Sequence, residues 1–295
     1  MHIREIRSKI RSVSATRKIT RAMEMMARTR MANAQRRART FRPYAQRIRE
    51  IALRLREDSP DYVSPLFVKR ARIVRVGLIV VSTDRGLCGP LNSRLLMRCA
   101  GSLDEWQRDG VDTEVIAIGA RGAAPLMRHG ANIVARAAAS SADPHFESFF
   151  GAVTVPLSGF LAGHLDEVHV AYNHLSSALS YEPRIERILP LGEWLREGEK
   201  SEAPGHAGAV WTEYLYEPSP KPVVDALLLR YVEALIYQAV AENYACEQCA
   251  RMFAMQTATE NADRVIRDLR HLYQKTRQAQ ITTELCEIVG GAAAV

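Results

Sequence analysis

Residues 223–289 contain neither a glycine nor a proline, and from Met1 no glycine occurs before Gly77 and no proline before Pro43. Without these two breakers, tight turns and irregular loops are excluded from both ends of the chain. Instead, at ~1.5 Å per residue, the pattern predicts two helices of roughly 100 Å and, with a kink allowed at Pro43, roughly 80 Å. Long apolar runs are also missing. The longest, residues 76–81, falls far short of the ~20 residues that cross a bilayer, and no charged-then-apolar signal segment opens the chain, so no bilayer insertion is expected. Cysteine is sparse: Cys88, Cys99, Cys246, Cys249 and Cys286 are odd in number and scattered, which suits free thiols in a reducing compartment.

Neither predicted helix fits within one globular domain, and a long helix draws most of its stability from packing an apolar stripe. The first enters the middle of the chain by its C-terminal end and the last leaves it by its N-terminal end. They are therefore expected side by side and antiparallel, a two-helix stalk on a compact head. In the first, Ile3, Ile6, Ile10 and Val13 keep heptad spacing. The phase then slips at Ser14-Ala15-Thr16 and resumes with Ile19, Met23, Met26, Met31, Ala34 and Ala38, where small or flexible residues suit close approach. In the last, the expected stripe runs through Leu228, Tyr231, Leu235, Ala245, Cys249, Met252, Val265, Leu269, Leu272 and Tyr273.

Charge divides sharply along the sequence. The net charge is +7, yet residues 1–57 hold 17 Lys and Arg against 4 Glu, a balance of +13, which leaves −6 for the rest. A basic helix of this kind faces nucleic acid, an acidic protein surface or anionic lipid. A transit-peptide reading fails on length, because the helical pattern runs past residue 50.

An apolar share of 47% is ample for a core between the helices. Residues 58–72, with Pro60 and Pro65, read as a linker. Residues 73–82 form a near-continuous β-branched run of the kind that makes a buried parallel strand. Residues 91–108 read as a helix, 111–118 as a strand, 121–129 as a short helix, 132–136 as a strand, 146–163 as helical and 167–172 as a strand. This alternation predicts an α/β sheet domain inserted between the two helices. A mobile loop is expected over 192–208, and Pro218, Pro220 and Pro222 are expected to stop regular structure before the last helix. The divisions are thus 1–57, a coiled-coil helix; 58–72, a linker; 73–218, the α/β domain; and 219–295, the second coiled-coil helix.

Few residues here suggest local chemistry. The loop Asp84-Arg85-Gly86-Leu87-Cys88-Gly89-Pro90-Leu91-Asn92 sits where α/β domains hold phosphates, but it lacks the Lys-Ser/Thr ending and the third glycine of the two phosphate-binding fingerprints, and a tight structural turn is the better reading. Cys246-Glu247-Gln248-Cys249 matches C-x-x-C but lies mid-helix without a second ligand pair, so two small residues at a helix interface explain it better. His164, His169 and His174 are read as structural or surface residues. No catalytic residue, cofactor site or metal site is expected.

Three groups of residues resemble one family, the γ subunit of F-type ATP synthases. Near the start stand Glu5-Ile6-Arg7-Ser8-Lys9-Ile10 and Thr16-Arg17-Lys18-Ile19-Thr20-Arg21-Ala22-Met23-Glu24-Met25-Met26. In the middle are Ser82-Thr83-Asp84-Arg85-Gly86-Leu87-Cys88-Gly89 and Tyr214-Leu215-Tyr216-Glu217-Pro218. Towards the end come Glu247-Gln248-Cys249-Ala250-Arg251-Met252, Ala258-Thr259-Glu260-Asn261-Ala262 and the stretch from Arg277-Gln278-Ala279 through Thr282-Thr283-Glu284-Leu285-Cys286 to Gly290-Gly291-Ala292. The resemblance covers nearly the whole chain. Because it begins near Ile3, a bacterial-type protein is expected rather than a mitochondrial precursor.

The resemblance implies an antiparallel coiled coil of the terminal helices with an inserted Rossmann-like α/β domain, working as a non-catalytic rotary shaft. Its implied partners are three α and three β subunits, the small ε subunit and the c-ring, at the cytoplasmic face of the bacterial inner membrane, with proton flow coupled to ATP synthesis or hydrolysis. By motif match, Lys18, Arg21, Met23, Glu24, Arg28 and Arg30 with Arg251, Gln278, Thr282 and Glu284 would face the α/β ring, and Tyr214 and Glu217 would lie near ε and the c-ring. The apolar end, 288–295, suits a tip turning within an apolar collar. Pro90 departs from the family's usual glycine, Cys246 and Cys249 from its usual Ser or Ala, and the cysteine-bearing insert of the chloroplast form is absent. Two other readings compete. A nucleic-acid-binding basic helix would show a basic run followed by a leucine seam, and a nucleotide-binding enzyme would need a phosphate-cradling loop.

Overall fold

The computed structural model describes residues 3–58, 64–139, 147–177, 180–191 and 220–293. Tyr214, Glu217 and the expected loop at 192–208 lie outside them. Helix α1 (Ile3–Asp58) runs without interruption through Pro43. Strand β1 (Arg75–Val81), helix α2 (Leu91–Arg108), β2 (Asp112–Ile118), α3 (Ala120–Arg128), β3 (Asn132–Ala137), α4 (Glu147–Leu161), β4 (Glu167–Leu175) and β5 (Tyr181–Leu189) follow, and α5 (Pro220–Ala293) closes the chain. A 3-10 turn, Pro65–Phe67, stands ahead of β1. The chain is thus an α/β fold with a long helix at each end. Pro220 and Pro222 do not delay α5, as the sequence had suggested, but form its first turn, where a missing N–H costs nothing.

Two compact units divide the chain, one of Met1–Thr29 with Ala250–Val295 and the other of Arg30–Cys249. The larger holds a five-stranded sheet in the order β3-β2-β1-β4-β5. Strands β1 to β4 pair in parallel and β5 lies antiparallel on β4. Parallel strands are covered on both faces and so read as unbroken apolar runs. In β1, every residue after Arg75 is buried. One face packs Ile79, Val81, Ile116 and Val170 with Leu157 and Phe160 of α4 and Leu228, Val232 and Ile236 of α5. The other packs Leu78, Val80 and Val115 with Leu95 and Cys99 of α2 and Leu126 of α3.

Strand β5 was not apparent in the sequence. Among the described residues it pairs on one side only, and its Glu182, Pro183, Arg184, Glu186 and Arg187 give no apolar run. Gly119, between β2 and α3, has φ +94, and a Cβ there would lie 2.3 Å from the Ser82 carbonyl oxygen, so only glycine fits this crossing.

The loop after β1 is tied both to neighbouring segments and to itself. Asp84 Oδ1 accepts the N–H groups of Ala120 (3.0 Å) and Ala139 (3.2 Å), and Asn92 Nδ2 donates to Thr83 Oγ1 (2.7 Å). Leu87 takes φ 64, unusual for a side-chain-bearing residue, and is exposed.

Candidate functional site

The smaller unit is built from the first part of α1 and the last part of α5. Arg7 Nη2 donates to the Tyr273 hydroxyl (2.8 Å), Arg17 Nη1 to Asp263 Oδ1 (2.8 Å), and the Thr20 and Thr259 hydroxyls share a hydrogen bond of 2.8 Å. As numbers rise on one helix they fall on the other, so the two run antiparallel.

On α1 the inward positions are Ile3, Ile6, Ile10, Val13, Arg17, Thr20, Glu24 and Ala27, and on α5 they are Met252, Met255, Thr259, Ala262, Ile266, Leu269, Tyr273 and Thr276. Both series alternate steps of three and four, the heptad spacing of a coiled coil. The expected slip at Ser14-Ala15-Thr16 does not occur. The seam continues through Arg17, Thr20 and Glu24, while Ile19 and Met26 point outward, 60% and 51% exposed. Hydrogen bonding across the pair lets polar residues occupy core positions, so apolar periodicity alone misplaced the seam. Val265 and Leu272, expected inside, are exposed, with the inward positions beside them taken by Ile266 and by Tyr273, which was also expected inside. Ala27 and Ala262, both buried, supply the small side chains that close approach requires.

Two charged contacts flank the seam. The hydrogen bond from Arg17 holds the Asp263 carboxyl below its ordinary range. Arg7, bonded to the Tyr273 hydroxyl and with its guanidinium carbon 5.6 Å from the ring centroid, lowers that phenol in the same way.

Helix α5 outlasts its partner. Residues 277–290 are all exposed. Among them Ile281, Leu285, Ile288 and Val289 are spaced to share one helical face, and they are 44–68% exposed. A surface of this kind marks an interaction site.

The residues singled out from sequence are placed as follows. Lys18, Arg21 and Arg28 are exposed on α1, and Met23 and Glu24 are half-buried, with Arg28 Nη2 3.4 Å from Glu24 Oε1. Gln278, Thr282 and Glu284 are exposed on α5, where the Thr282 hydroxyl donates to the Gln278 carbonyl (2.9 Å). Arg30 is exposed and belongs to the larger unit. Arg251, by contrast, is buried within the chain. Cys246 and Cys249 are buried as expected of interface residues, but Cys246 does more than fill space: its thiol donates to the Asn173 carbonyl (3.2 Å). His169 and His174 bond to Glu167 and Glu242, each at 2.8 Å.

Among the described residues no cluster of three or more His, Cys, Asp or Glu side chains is placed to hold a metal ion, and no helix is long and apolar enough to cross a membrane. What the smaller unit offers is a surface: an arginine- and lysine-bearing outer face and an apolar end.

The ATP synthase family model matches residues 2–295, the whole length of both long helices and the sheet between them. The chain belongs to the ATP synthase γ-chain family. The ATP synthase gamma chain of Ralstonia nicotianae is 48% identical over 292 residues and that of Azoarcus sp. 48% over 295, each comparison covering 99% of both chains. Among solved structures, a chain of the Euglena gracilis mitochondrial ATP synthase, OSCP/F1/c-ring, in rotational state 3 aligns with a TM-score of 0.64 at 19% identity, covering 99% of this chain and 94% of its own. A chain of the Tetrahymena thermophila mitochondrial ATP synthase central stalk/c-ring aligns at 0.59 and 22% identity, covering 81% and 99%. At these identities the structures support the fold, while the curated relatives carry the family.

Proposed function

We propose that this chain is the central rotary shaft of an F1 sector, itself without catalytic residues, coupling transmembrane proton flow to ATP synthesis and hydrolysis at the β subunits. The observation that carries this reading is the last stretch of α5, which extends beyond α1 and leaves Ile281, Leu285, Ile288 and Val289 exposed on one face. An apolar end left exposed among the described residues fits a collar supplied by other subunits. The cationic outer face, with Lys18, Arg21 and Arg28 exposed, fits acidic surfaces on the β subunits. Met23, Glu24, Arg30, Arg251, Gln278, Thr282 and Glu284 complete the proposed ring contact, Arg251 acting from its buried position on the shape of the helix pair. Tyr214 and Glu217 are proposed to meet ε and the c-ring, and the complex to sit on the cytoplasmic face of a bacterial inner membrane.

The mechanism follows from symmetry. One asymmetric shaft cannot present equal faces to three identical β subunits, so it favours a different conformation in each. Turning it moves those conformations around the ring, and the work passes as coupling free energy between distant sites.

Reconstitution with cognate α and β subunits tests the reading. The full chain is expected to co-elute with them and to support multi-site MgATP hydrolysis, and a chain ending before residue 277 to support much less. No co-elution, together with salt-sensitive DNA binding by the same preparation, would move the assignment to a nucleic-acid-binding helix.

A further inference from the structure

Asn173, near the end of β4, uses its main chain and its side chain on the same helix. The ladder between β1 and β4 ends at Ala171, and the β5 residue facing Asn173 is Pro183, which has no N–H to give. Helix α5 supplies the missing partners. Asn243 Oδ1 accepts from Asn173 N (3.3 Å) and from Asn173 Nδ2 (2.8 Å), and the Cys246 thiol donates to the Asn173 carbonyl at 3.2 Å. One residue along, His174 Nδ1 lies 2.8 Å from Glu242 Oε2, and Gln238 Nε2 donates to Glu242 Oε1 at 3.0 Å. Asn173, Asn243 and Cys246 are all but sealed from solvent.

These contacts differ in kind from the apolar core around them. Apolar burial is non-directional, so leucines and valines hold the rotation and register of a helix by shape alone. A hydrogen bond holds only over a narrow range of distance and angle, and in a dry interior each unmade one is costly. Residues 238, 242, 243 and 246 lie on one face of α5, so these bonds fix both the rotation of the helix about its own axis and its register along β4.

We propose that Asn173, Asn243 and Cys246 form a rotational lock between α5 and the sheet, and that they are positioning residues for coupling: torque arriving at the sheet turns α5 because this lock stops the helix from slipping. The inference rests on the rotary reading above. No residue of the lock is among those assigned to the ring contact.

The test uses the whole complex in vesicles, with ATP-driven proton pumping and ATP hydrolysis measured together, and with maleimide labelling of Cys246 mapped by mass spectrometry. Asn243→Ala is expected to lower protons pumped per ATP hydrolysed while the amount of the chain in purified complex stays unchanged. It is also expected to raise Cys246 labelling about tenfold, which corresponds to ~1.4 kcal/mol of easier opening. Cys246→Ala should lower coupling, and Cys246→Ser, which keeps a donor, should restore it. Pumping per ATP and Cys246 labelling that match the unmodified chain in Asn243→Ala would overturn the lock. If Asn243→Ala does not assemble, the Cys246 pair decides, and equal coupling in Cys246→Ala and the unmodified chain overturns it. Vesicles of the unmodified complex that hydrolyse ATP without pumping would instead remove the rotary reading, leaving the labelling comparison to judge the lock alone.

Discussion

Single residues in this chain are set by hydrogen-bond supply as much as by apolarity. Glu186 on β5 illustrates the balance: burial pushes its carboxyl up, the hydroxyl of Tyr172 (2.9 Å) and the charge of Arg184 pull it down, and nearby Glu242 pushes it up again, leaving it above the ordinary 4.5. A carboxyl that holds its proton more tightly when folded stabilises the fold as pH falls through its folded pKa and burdens it above. Glu186→Gln, which still accepts from Tyr172, is therefore expected to be the more stable chain at neutral pH, with the advantage disappearing below about pH 4.5. Urea denaturation across pH checks this, and an advantage that grows on acidification would contradict it. Asn243 and Asn173 were not legible in the sequence, because an asparagine within a helix gives no sign of what it meets. The only hint was Pro183, a residue that cannot complete a ladder.

At the scale of elements, the parallel strands were the most legible. The β-branched run of β1 and the alternation of helix and strand through β4 follow from a sheet covered on both faces, so composition alone betrays them. Strand β5 escaped because its faces are only partly covered, so Glu182, Arg184, Glu186 and Arg187 break any apolar run. The seam between the long helices was half legible: Ile3, Ile6, Ile10 and Val13 mark its first turns, and hydrogen-bonded polar residues then hide it. The distinction is measurable. Ile6 is fully buried and Ile19 is 60% exposed. Ile6→Ala is expected to cost roughly 2–5 kcal/mol in chemical denaturation followed by circular dichroism, as other buried isoleucines do. Ile19→Ala should stay within about 0.5 kcal/mol, as exposed substitutions do. A reversal of that order would restore the slipped heptad.

For the whole molecule, charge is the property that sequence states most directly, since +13 of formal charge falls within residues 1–57. Association with acidic partner surfaces should therefore be steered at long range and screened by salt. The rate of association with the α and β subunits is expected to fall by about an order of magnitude or more between low and physiological ionic strength, with dissociation changing less. Stopped-flow fluorescence measures both, and a salt-independent on-rate would mean that apolar contact at the end of α5, and not the basic face of α1, governs the encounter. Which residues would meet which partner is proposed from family resemblance alone, because the complementary surface lies on other chains.

The even alternation of threes and fours along both helices has a mechanical consequence. It is a repeat of 3.5 carried on helices that turn once every 3.6 residues, and such a mismatch is reconciled by winding the pair into a left-handed rope. A rope of one hand tightens when twisted one way and loosens when twisted the other. The pair of helices should therefore be stiffer under torque of one sense, so that a shaft driven by ions and the same shaft driven by ATP store different amounts of elastic energy for the same angle.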